Sequence, residues 1–153
     1  MFKTFLIGTG YLSSKISKKI KNSEIVSSDN FIKSINKINK DKKKINLIIN
    51  AFYSSRKLNN LISYKFFVQK SLLGISEIFD YINPKLINKI LYTSSSSVYG
   101  SIGGKAEFSD KNNRDIYSSL KIAAENLIKN FCIKNEISWY KCRWWFDEIT
   151  WWC

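Results

Sequence analysis

A tyrosine and a lysine four positions apart, Tyr117 and Lys121, are the residues of this chain best suited to acid–base chemistry. On a helix they would share a face, where the ammonium favours the phenolate form of the tyrosine and so makes it a general base. Histidine is absent, which excludes Ser-His-Asp and Cys-His catalysis and leaves proton transfer to Tyr, Lys, Asp or Glu. The spacing is not selective by itself, because three further pairs share it: Tyr11/Lys15, Tyr53/Lys57 and Tyr81/Lys85.

A run of serines precedes Tyr117 in the segment ILYTSSSSVYG, residues 90–100. Its apolar beginning predicts a strand over residues 89–93, and the carboxyl end of that strand delivers Ser94 and Ser95 ahead of the tyrosine helix. A serine hydroxyl there could orient or relay the proton that Tyr117 transfers. The simpler interpretation is a polar turn that closes the strand.

A glycine-rich turn follows the first predicted strand, in the segment GTGYLS at residues 8–13. Gly8 and Gly10 would let the backbone approach a pyrophosphate at the N-terminus of the next helix. Ser13 stands where the G-x-G-x-x-G pattern has its third glycine. Asp29, 21 positions after Gly8, could accept hydrogen bonds from an adenosine ribose, or it could cap the helix that begins near Phe31.

Apolar periodicity predicts alternating strands and helices that would position these residues. Strands are expected at 2–7, from 25 to near 29, at 45–51, at 89–93 and at 137–142. Helices are expected from residue 12 to 20, at 31–38, at 58–82 ahead of an Asn-Pro stop, and at 116–133. This order favours an α/β fold with a doubly wound parallel sheet between two layers of helices, the three-layer Rossmann-type arrangement.

The charge of the chain is strongly positive, with 25 Lys+Arg, 12 Asp+Glu and a formal net charge of +13. Lysines concentrated before residue 58 could bind phosphates, nucleic acid or an anionic surface, so a basic Rossmann-like binding module is the alternative function. We favour compositional bias as the explanation, because lysine far outnumbers arginine and no aromatic side chains interleave with the lysines. No nucleic-acid partner is therefore expected.

Composition also excludes other classes of protein. Hydrophobic residues make up 44% of the chain, which suits a globular domain with a core. The apolar stretch at the start is too short for a secretory signal or a membrane span, so we expect a cytoplasmic protein without a membrane span. The three cysteines form no C-x-x-C pair, and without histidine we expect neither a metal site nor a disulfide framework.

Taken together in chain order, these motifs resemble the NAD-dependent epimerase/dehydratase family, an extended short-chain dehydrogenase/reductase group that acts on nucleotide sugars. The features in common are the glycine-rich opening, Asp29-Asn30, Asn50-Ala51, the S-S-x-x-V-Y-G strand, and a Tyr-x-x-x-Lys helix that continues Ala123-Ala124-Glu125. The resemblance covers about residues 2 to 143. It implies hydride transfer at a sugar carbon of a nucleotide-sugar substrate, with NAD as cofactor in preference to NADP.

The resemblance also implies a role for individual residues. The implied catalytic residues are Ser95, Tyr117 and Lys121. The implied cofactor-binding residues are Gly8, Gly10, Tyr11, Leu12, Asp29, Asn30, Ala51, Tyr117 and Lys121.

Three departures from the family pattern are visible. The segment between Asn30 and Ile45 is too short for a helix and the usual additional strand, so we expect a sheet that is one strand smaller or irregular there. Ser71 stands where the family has an asparagine. Family members continue into a second lobe that grips the substrate, so we interpret residues 1–143 as an NAD(P)-binding domain without that lobe, truncated and weakly active or inactive. Its uncovered surface would favour self-association or a homodimer.

All five tryptophans lie between Trp139 and Trp152, close to the end of the chain. We interpret residues 144–153 as an aberrant Trp-rich tail from a disrupted or truncated gene. A genuine aromatic tail for a partner or a membrane interface is the alternative.

Overall fold

The structure is a computed structural model that describes residues 2–27, 30–50, 64–99 and 116–144. Five strands alternate with helices, as the apolar periodicity predicts. The strands are β1 (Lys3–Ile7), β2 (Ser23–Val26), β3 (Ile45–Ile49), β4 (Ile87–Ser95) and β5 (Ser138–Trp144). The helices are α1 (Tyr11–Ser17), α2 (Phe31–Asp41), α3 (Tyr64–Val68), α4 (Gly74–Tyr81) and α5 (Ile116–Lys134).

The five strands form one sheet in the order β2-β1-β3-β4-β5, and every neighbouring pair is parallel. From β1 the chain passes to β2 on one side and then crosses back to β3 on the other side of β1. In sheets with this order, ligands bind outside the carboxyl ends of the strands at the point where the direction of winding reverses. The fold therefore places a binding crevice at the ends of β1 and β3.

Helices cover both faces of the sheet, because the central strands are apolar on both sides. On one face, Leu6 and Ile48 pack with Ile16 of α1. The larger core lies on the opposite face, where side chains of the strands meet α2, α4 and α5. Its fully buried members include Leu47, Ile49, Ile78, Ile90, Ala124 and Ile128. The predicted three-layer, doubly wound arrangement is confirmed, and the described sheet has five strands, in agreement with the short segment before Ile45.

Local sequence explains the ends of α2. Phe31, Ile35 and Ile38 recur at helical spacing and are all buried, so one face of the helix packs on the sheet. The helix ends at Asp41 because Lys42 adopts a left-handed backbone conformation, with φ 50°. The lysines that follow are exposed and lead directly into β3.

Several predicted boundaries were wrong. Strand β2 ends at Val26 rather than near residue 29, because its ladder with β1 ends at the Ile7–Val26 pair. Strand β4 includes Ser94 and Ser95, since both pair with β5. The described part of the long helix over 58–82 is interrupted by a π-helical turn, Gln69–Leu73.

Ser71 lies within this π-helical turn. It is buried, and its hydroxyl donates a hydrogen bond of 2.5 Å to the carbonyl oxygen of Phe67. The predicted tail begins at Trp144, which is the last residue of β5, and residues 145–153 lie outside the described residues.

Candidate active site

Helix α5 carries Tyr117 and Lys121 on one face, and Lys121 is almost fully removed from solvent, with 3% of its surface exposed. Its ammonium donates a hydrogen bond of 2.7 Å to the carbonyl oxygen of Thr93 in β4. Nζ of Lys121 lies 4.8 Å from the ring centre of Tyr92 and 5.7 Å from that of Tyr117. Lys121 thus ties the helix of the candidate base to the strand of the serine run.

Burial changes the ionisation of this lysine. Desolvation lowers the pKa of Lys121 from 10.5 to about 7, and the negative charge of Glu125 opposes that shift. The charge of the amine can therefore change near neutral pH, which is the range in which an acid–base group is useful.

The other pairs with the same spacing differ from this one in burial. Lys15 and Lys85 are exposed, and so are their partners Tyr11 and Tyr81, with 71% and 51% of their surfaces accessible. Lys15 lies 5.4 Å from the ring centre of Tyr11, but in contact with solvent. The pair Tyr53/Lys57 lies outside the described residues. Burial, which spacing does not reveal, distinguishes Tyr117 and Lys121.

The structure also separates the two serines that the sequence left as competitors. Ser94 donates a hydrogen bond of 2.6 Å to Oε1 of Glu125 and is committed to that contact. Ser95 is buried at the end of β4, and its oxygen accepts hydrogen bonds from the backbone N–H of Ser97 (3.2 Å) and from the Ser97 hydroxyl (2.9 Å). The proton of Ser95 is therefore available for another acceptor.

The glycine-rich turn lies at the carboxyl end of β1. Gly8 has φ 109°, a conformation that only glycine adopts easily, and its N–H donates to the carbonyl oxygen of Val26 at 2.8 Å. Gly10 is the N-cap of α1, with φ −68°, and a Cβ at this position would meet no atom within 4 Å. Tyr11 is exposed, and Leu12 packs against the smaller core. The open side of the turn is at Gly10.

A buried polar pair closes this turn. The Ser13 hydroxyl donates to the carbonyl oxygen of Gly8 and accepts a hydrogen bond from Nδ2 of Asn50, at the end of β3. The backbone N–H of Asn50 donates to the carbonyl oxygen of Ile7 at 3.0 Å. Oδ1 of Asn50 is buried and receives no hydrogen bond from the described part of the chain. Neither residue was given this role from the sequence, although Asn50 follows an apolar strand and Ser13 stands where the glycine pattern has its third glycine.

The predicted ribose-binding segment is described in part. Asn30 is exposed and occupies the N-cap position of α2, without a hydrogen bond from its side chain to the helix. Asp29 and Ala51 lie outside the described residues.

A buried carboxylate, Glu125, was given no role of its own from the sequence. It follows Lys121 by one helical turn and has 2% of its surface exposed. It forms ion pairs with Arg143 (2.8 Å) and Lys141 (3.1 Å), both in β5. The signal available in the sequence was the repeat of Tyr117, Lys121 and Glu125 at intervals of four, which places all three on one helix face.

Within residues 2–27, 30–50, 64–99 and 116–144, no three His, Cys, Asp or Glu side chains are arranged to hold a metal ion. The helices in the same ranges are all too short or too polar to cross a membrane.

Comparison with known proteins identifies the family. Residues 11–143 match the model of the NAD dependent epimerase/dehydratase family, so the chain belongs to that family. No curated protein matches the chain. The resemblance stated from the motifs is thereby confirmed.

Three solved structures illustrate the fold that the chain shares with this group. A UDP-N-acetylglucosamine 4-epimerase from Methanobrevibacter ruminantium, in complex with UDP-N-acetylmuramic acid, has a TM-score of 0.69 and 16% identity over 93% of this chain and 54% of its own. A UDP-glucose 4-epimerase from Thermus thermophilus, in complex with NAD, has a TM-score of 0.69 and 12% identity, with the same coverage of 93% and 54%. The L-threonine dehydrogenase from Phytophthora infestans has a TM-score of 0.69 and 12% identity over 93% and 53%. The chain spans about half the length of these proteins, and the likeness concerns their fold.

Proposed function

We propose that this chain is an NAD-dependent oxidoreductase domain of the nucleotide-sugar epimerase/dehydratase type, in which Tyr117 exchanges a proton with a sugar hydroxyl. The observation that carries the proposal is the burial of Lys121 between Tyr117 and the strand of Ser95. A buried amine with a pKa of about 7 is costly to stability, and such groups concentrate at functional sites. Lys15 and Lys85, the described lysines of the other pairs, are exposed.

The proton transfer assigned to this site uses three side chains. Tyr117, as phenolate, takes the proton of the substrate hydroxyl, and the Lys121 ammonium favours the phenolate by charge attraction. Ser95 donates a hydrogen bond to the substrate oxygen and keeps its proton, because its own oxygen already accepts two hydrogen bonds from Ser97. When NAD is bound, it supplies the hydride acceptor for the carbon that bears this oxygen.

The crevice at β1 and β3 fits a dinucleotide by its polar groups. The open side of Gly10 leaves the backbone accessible, as a pyrophosphate requires. Oδ1 of Asn50 is a buried acceptor at the switch point of the sheet, and a cofactor hydroxyl or amide would satisfy it. The residues assigned to hold NAD are Gly8, Gly10, Tyr11, Leu12, Asp29, Asn30, Ala51, Tyr117 and Lys121.

The proposed substrate class is a nucleotide sugar. Membership of the epimerase/dehydratase family supports it, and so do the UDP-sugar epimerases among the proteins with this fold. The threonine dehydrogenase with the same fold shows that the fold by itself does not select the substrate.

Titration calorimetry with NAD tests the proposal on the chain itself. We expect saturable binding that Lys121→Ala weakens and the matched change at an exposed lysine, Lys85→Ala, does not. Binding in a crevice should depend weakly on salt, whereas a basic surface that captures phosphates would lose affinity steeply as salt rises. Absence of NAD binding, or equal losses from the two variants, would overturn the proposal.

A further inference from the structure

The carboxylate of Glu125 is the most heavily hydrogen-bonded side chain near the candidate active site. Its Oε1 accepts from the Ser94 hydroxyl at 2.6 Å and from Nε of Arg143 at 3.1 Å. Its Oε2 accepts from Nη2 of Arg143 at 2.8 Å and from Nζ of Lys141 at 3.1 Å. These four bonds fill the acceptor capacity of a carboxylate, although the residue is buried.

The four donors come from the two strands that end at the site. Ser94 immediately precedes Ser95 in β4, and Arg143 is paired with Ser94 in the register of β4 and β5. Arg143 extends the network, since it donates to the Tyr99 hydroxyl and its guanidinium carbon lies 4.5 Å from the Tyr99 ring centre. Glu125 thus connects the helix of the acid–base pair to both strands and to the turn after the serines.

Glu125 is also the acidic neighbour of the buried lysine. Burial alone would raise the pKa of the Glu125 carboxyl, but hydrogen bonds from Arg143 and Ser94 and the charges of Arg143 and Lys141 lower it below its ordinary value. The carboxylate is therefore charged at neutral pH. Among the described residues, the groups that face Lys121 are Glu125 and Tyr117 from α5, together with Tyr92 and the Thr93 carbonyl from β4.

We propose that Glu125 is a positioning residue for the Ser95, Tyr117 and Lys121 group: it fixes α5 against the ends of β4 and β5 and places a carboxylate one helical turn from Lys121, on the same face of α5. The inference rests on the proposed function of these three residues. A buried ion pair can also be purely structural. In that case its loss would lower stability and leave the titration of Lys121 unchanged.

The direct experiment is an NMR titration of the lysine side chains labelled at ¹³Cε, with the Lys121 signal identified by its absence in Lys121→Met. We expect wild-type Lys121 to titrate near pH 7, as its pKa of about 7 indicates. In Glu125→Gln the midpoint should fall by about one pH unit, since a nearby opposite charge is lost. NAD affinity of this variant should fall at neutral pH and recover at lower pH, where Lys121 is charged again.

Two further variants separate charge from position. Lys141→Gln removes one hydrogen bond to the Glu125 carboxylate but leaves that carboxylate charged. The Lys121 midpoint should therefore stay unchanged or rise. Glu125→Asp keeps the charge on a shorter side chain. We therefore expect a nearly normal Lys121 midpoint with weakened NAD binding, because a shorter side chain cannot keep all its contacts with Ser94 and Arg143.

An unchanged Lys121 midpoint and unchanged NAD affinity in folded Glu125→Gln would overturn the proposal. Should that variant fail to fold, the double variant Glu125→Gln/Arg143→Gln takes its place, with the single variant Arg143→Gln instead of wild type as its reference, so that only the carboxylate charge differs between the two. Failure of the wild-type chain to bind NAD would overturn the proposed function. The Lys121 titration would still decide by itself whether Glu125 controls this lysine.

Discussion

The two ends of the candidate crevice are built from different chemistry, although both lie at the carboxyl edge of one sheet. At β1 and β3 the groups are uncharged: the backbone of Gly8 and Gly10 and the buried Asn50–Ser13 pair. At β4 and β5 the buried groups include two charged side chains, Lys121 and Glu125 of α5, beside the serines. The first end is suited to hold a ligand by shape and hydrogen bonds, and the second is suited to move protons.

The two ends also differ in their cost to stability. The uncharged end places one buried acceptor, Oδ1 of Asn50, without a partner in the described residues. The charged end buries Lys121 at the expense of its protonated form, while Glu125 and Arg143 compensate one another. The larger cost to folding stability therefore lies at the charged end. Substitutions there should change stability and activity more, and in a more pH-dependent way.

The largest effect is expected at the charged end, from Tyr117→Phe. The chain spans about half the length of the UDP-sugar epimerases with this fold, so turnover would be measured after fusion to the second half of one of them. Loss of the proton-transfer group should lower kcat by roughly 10²- to 10⁴-fold. NAD affinity should change far less, because phenylalanine keeps the ring by which Tyr117 would contact the cofactor and loses only the hydroxyl. Tyr81→Phe, at an exposed tyrosine with the same spacing to a lysine, is the control, and an equal loss there would refute the assignment.

Lys121→Met should stabilise the protein at low pH. Because the pKa of Lys121 is lowered from 10.5 to about 7 on folding, the unfolded chain binds more protons between these values, and wild-type stability rises with pH across this window. Below pH 7, burial of the protonated amine lowers the stability of the wild type by at most about 5 kcal/mol. In Lys121→Met the Thr93 carbonyl has lost its donor, which reduces the gain in stability by about 1–3 kcal/mol. We therefore expect the Met variant to be more stable by about 2 kcal/mol at pH 6.

Urea unfolding at pH 6, 8 and 10 checks this sign. The advantage of Lys121→Met should shrink as pH rises and reverse near pH 10, where only the lost hydrogen bond to Thr93 remains. Lys85→Met, at an exposed position, should stay within about 0.5 kcal/mol of wild type throughout. If Lys121→Met is less stable than wild type at pH 6, burial of the charged amine does not lower the stability of the protein.

Two glycines sharpen the comparison at the uncharged end. Gly10→Ala meets no atom within 4 Å and keeps an ordinary φ of −68°, so stability should be unchanged or slightly higher. Its methyl group would occupy the path of a pyrophosphate, and NAD affinity should fall about tenfold, or about 1.4 kcal/mol. Calorimetry and thermal unfolding of the same sample separate the two effects.

Gly8→Ala is the matched comparison, because a side chain at φ 109° is strained whatever the available space. It should cost about 1–3 kcal/mol of stability in addition to any loss of binding. Unchanged NAD affinity in Gly10→Ala would place the pyrophosphate elsewhere.

The sequence was sufficient for the fold and for the order of the motifs. The apolar run INLII in β3 and the helical spacing of Phe31, Ile35 and Ile38 are local patterns. They can be recognised without knowing which elements pack against them. The ends of strands were predicted less well. Where β2 stops is set by its pairing with β1, and the inclusion of Ser95 in β4 is set by its pairing with β5, neither of which is a local property.

The candidate site was predictable as a set of residue types but not as a network. Four Tyr-x-x-x-Lys pairs are equivalent in sequence, and only packing against β4 buries Lys121. The contacts of Glu125 with Arg143, and of Ser13 with Asn50, join elements that are distant in the chain. Such contacts depend on the completed sheet, so spacing alone could not reveal them.

The smallest expected effect concerns cofactor choice, the role predicted for the carboxylate of Asp29. Asn30 occupies the N-cap position of α2 but makes no side-chain hydrogen bond to that helix. The ribose role predicted for Asp29 and its alternative, a cap of α2, are separated by their effect on cofactor choice. A carboxylate that accepts from a ribose 2′-hydroxyl repels a 2′-phosphate. We expect Asp29→Ala to lower the ratio of NAD to NADP affinity by about tenfold or less, measured by calorimetry with both cofactors. Asp41→Ala, in the last turn of the same helix, should leave the ratio unchanged. If Asp29→Ala also leaves it unchanged, the ribose lies elsewhere, and preference for NAD must come from the shape of the crevice.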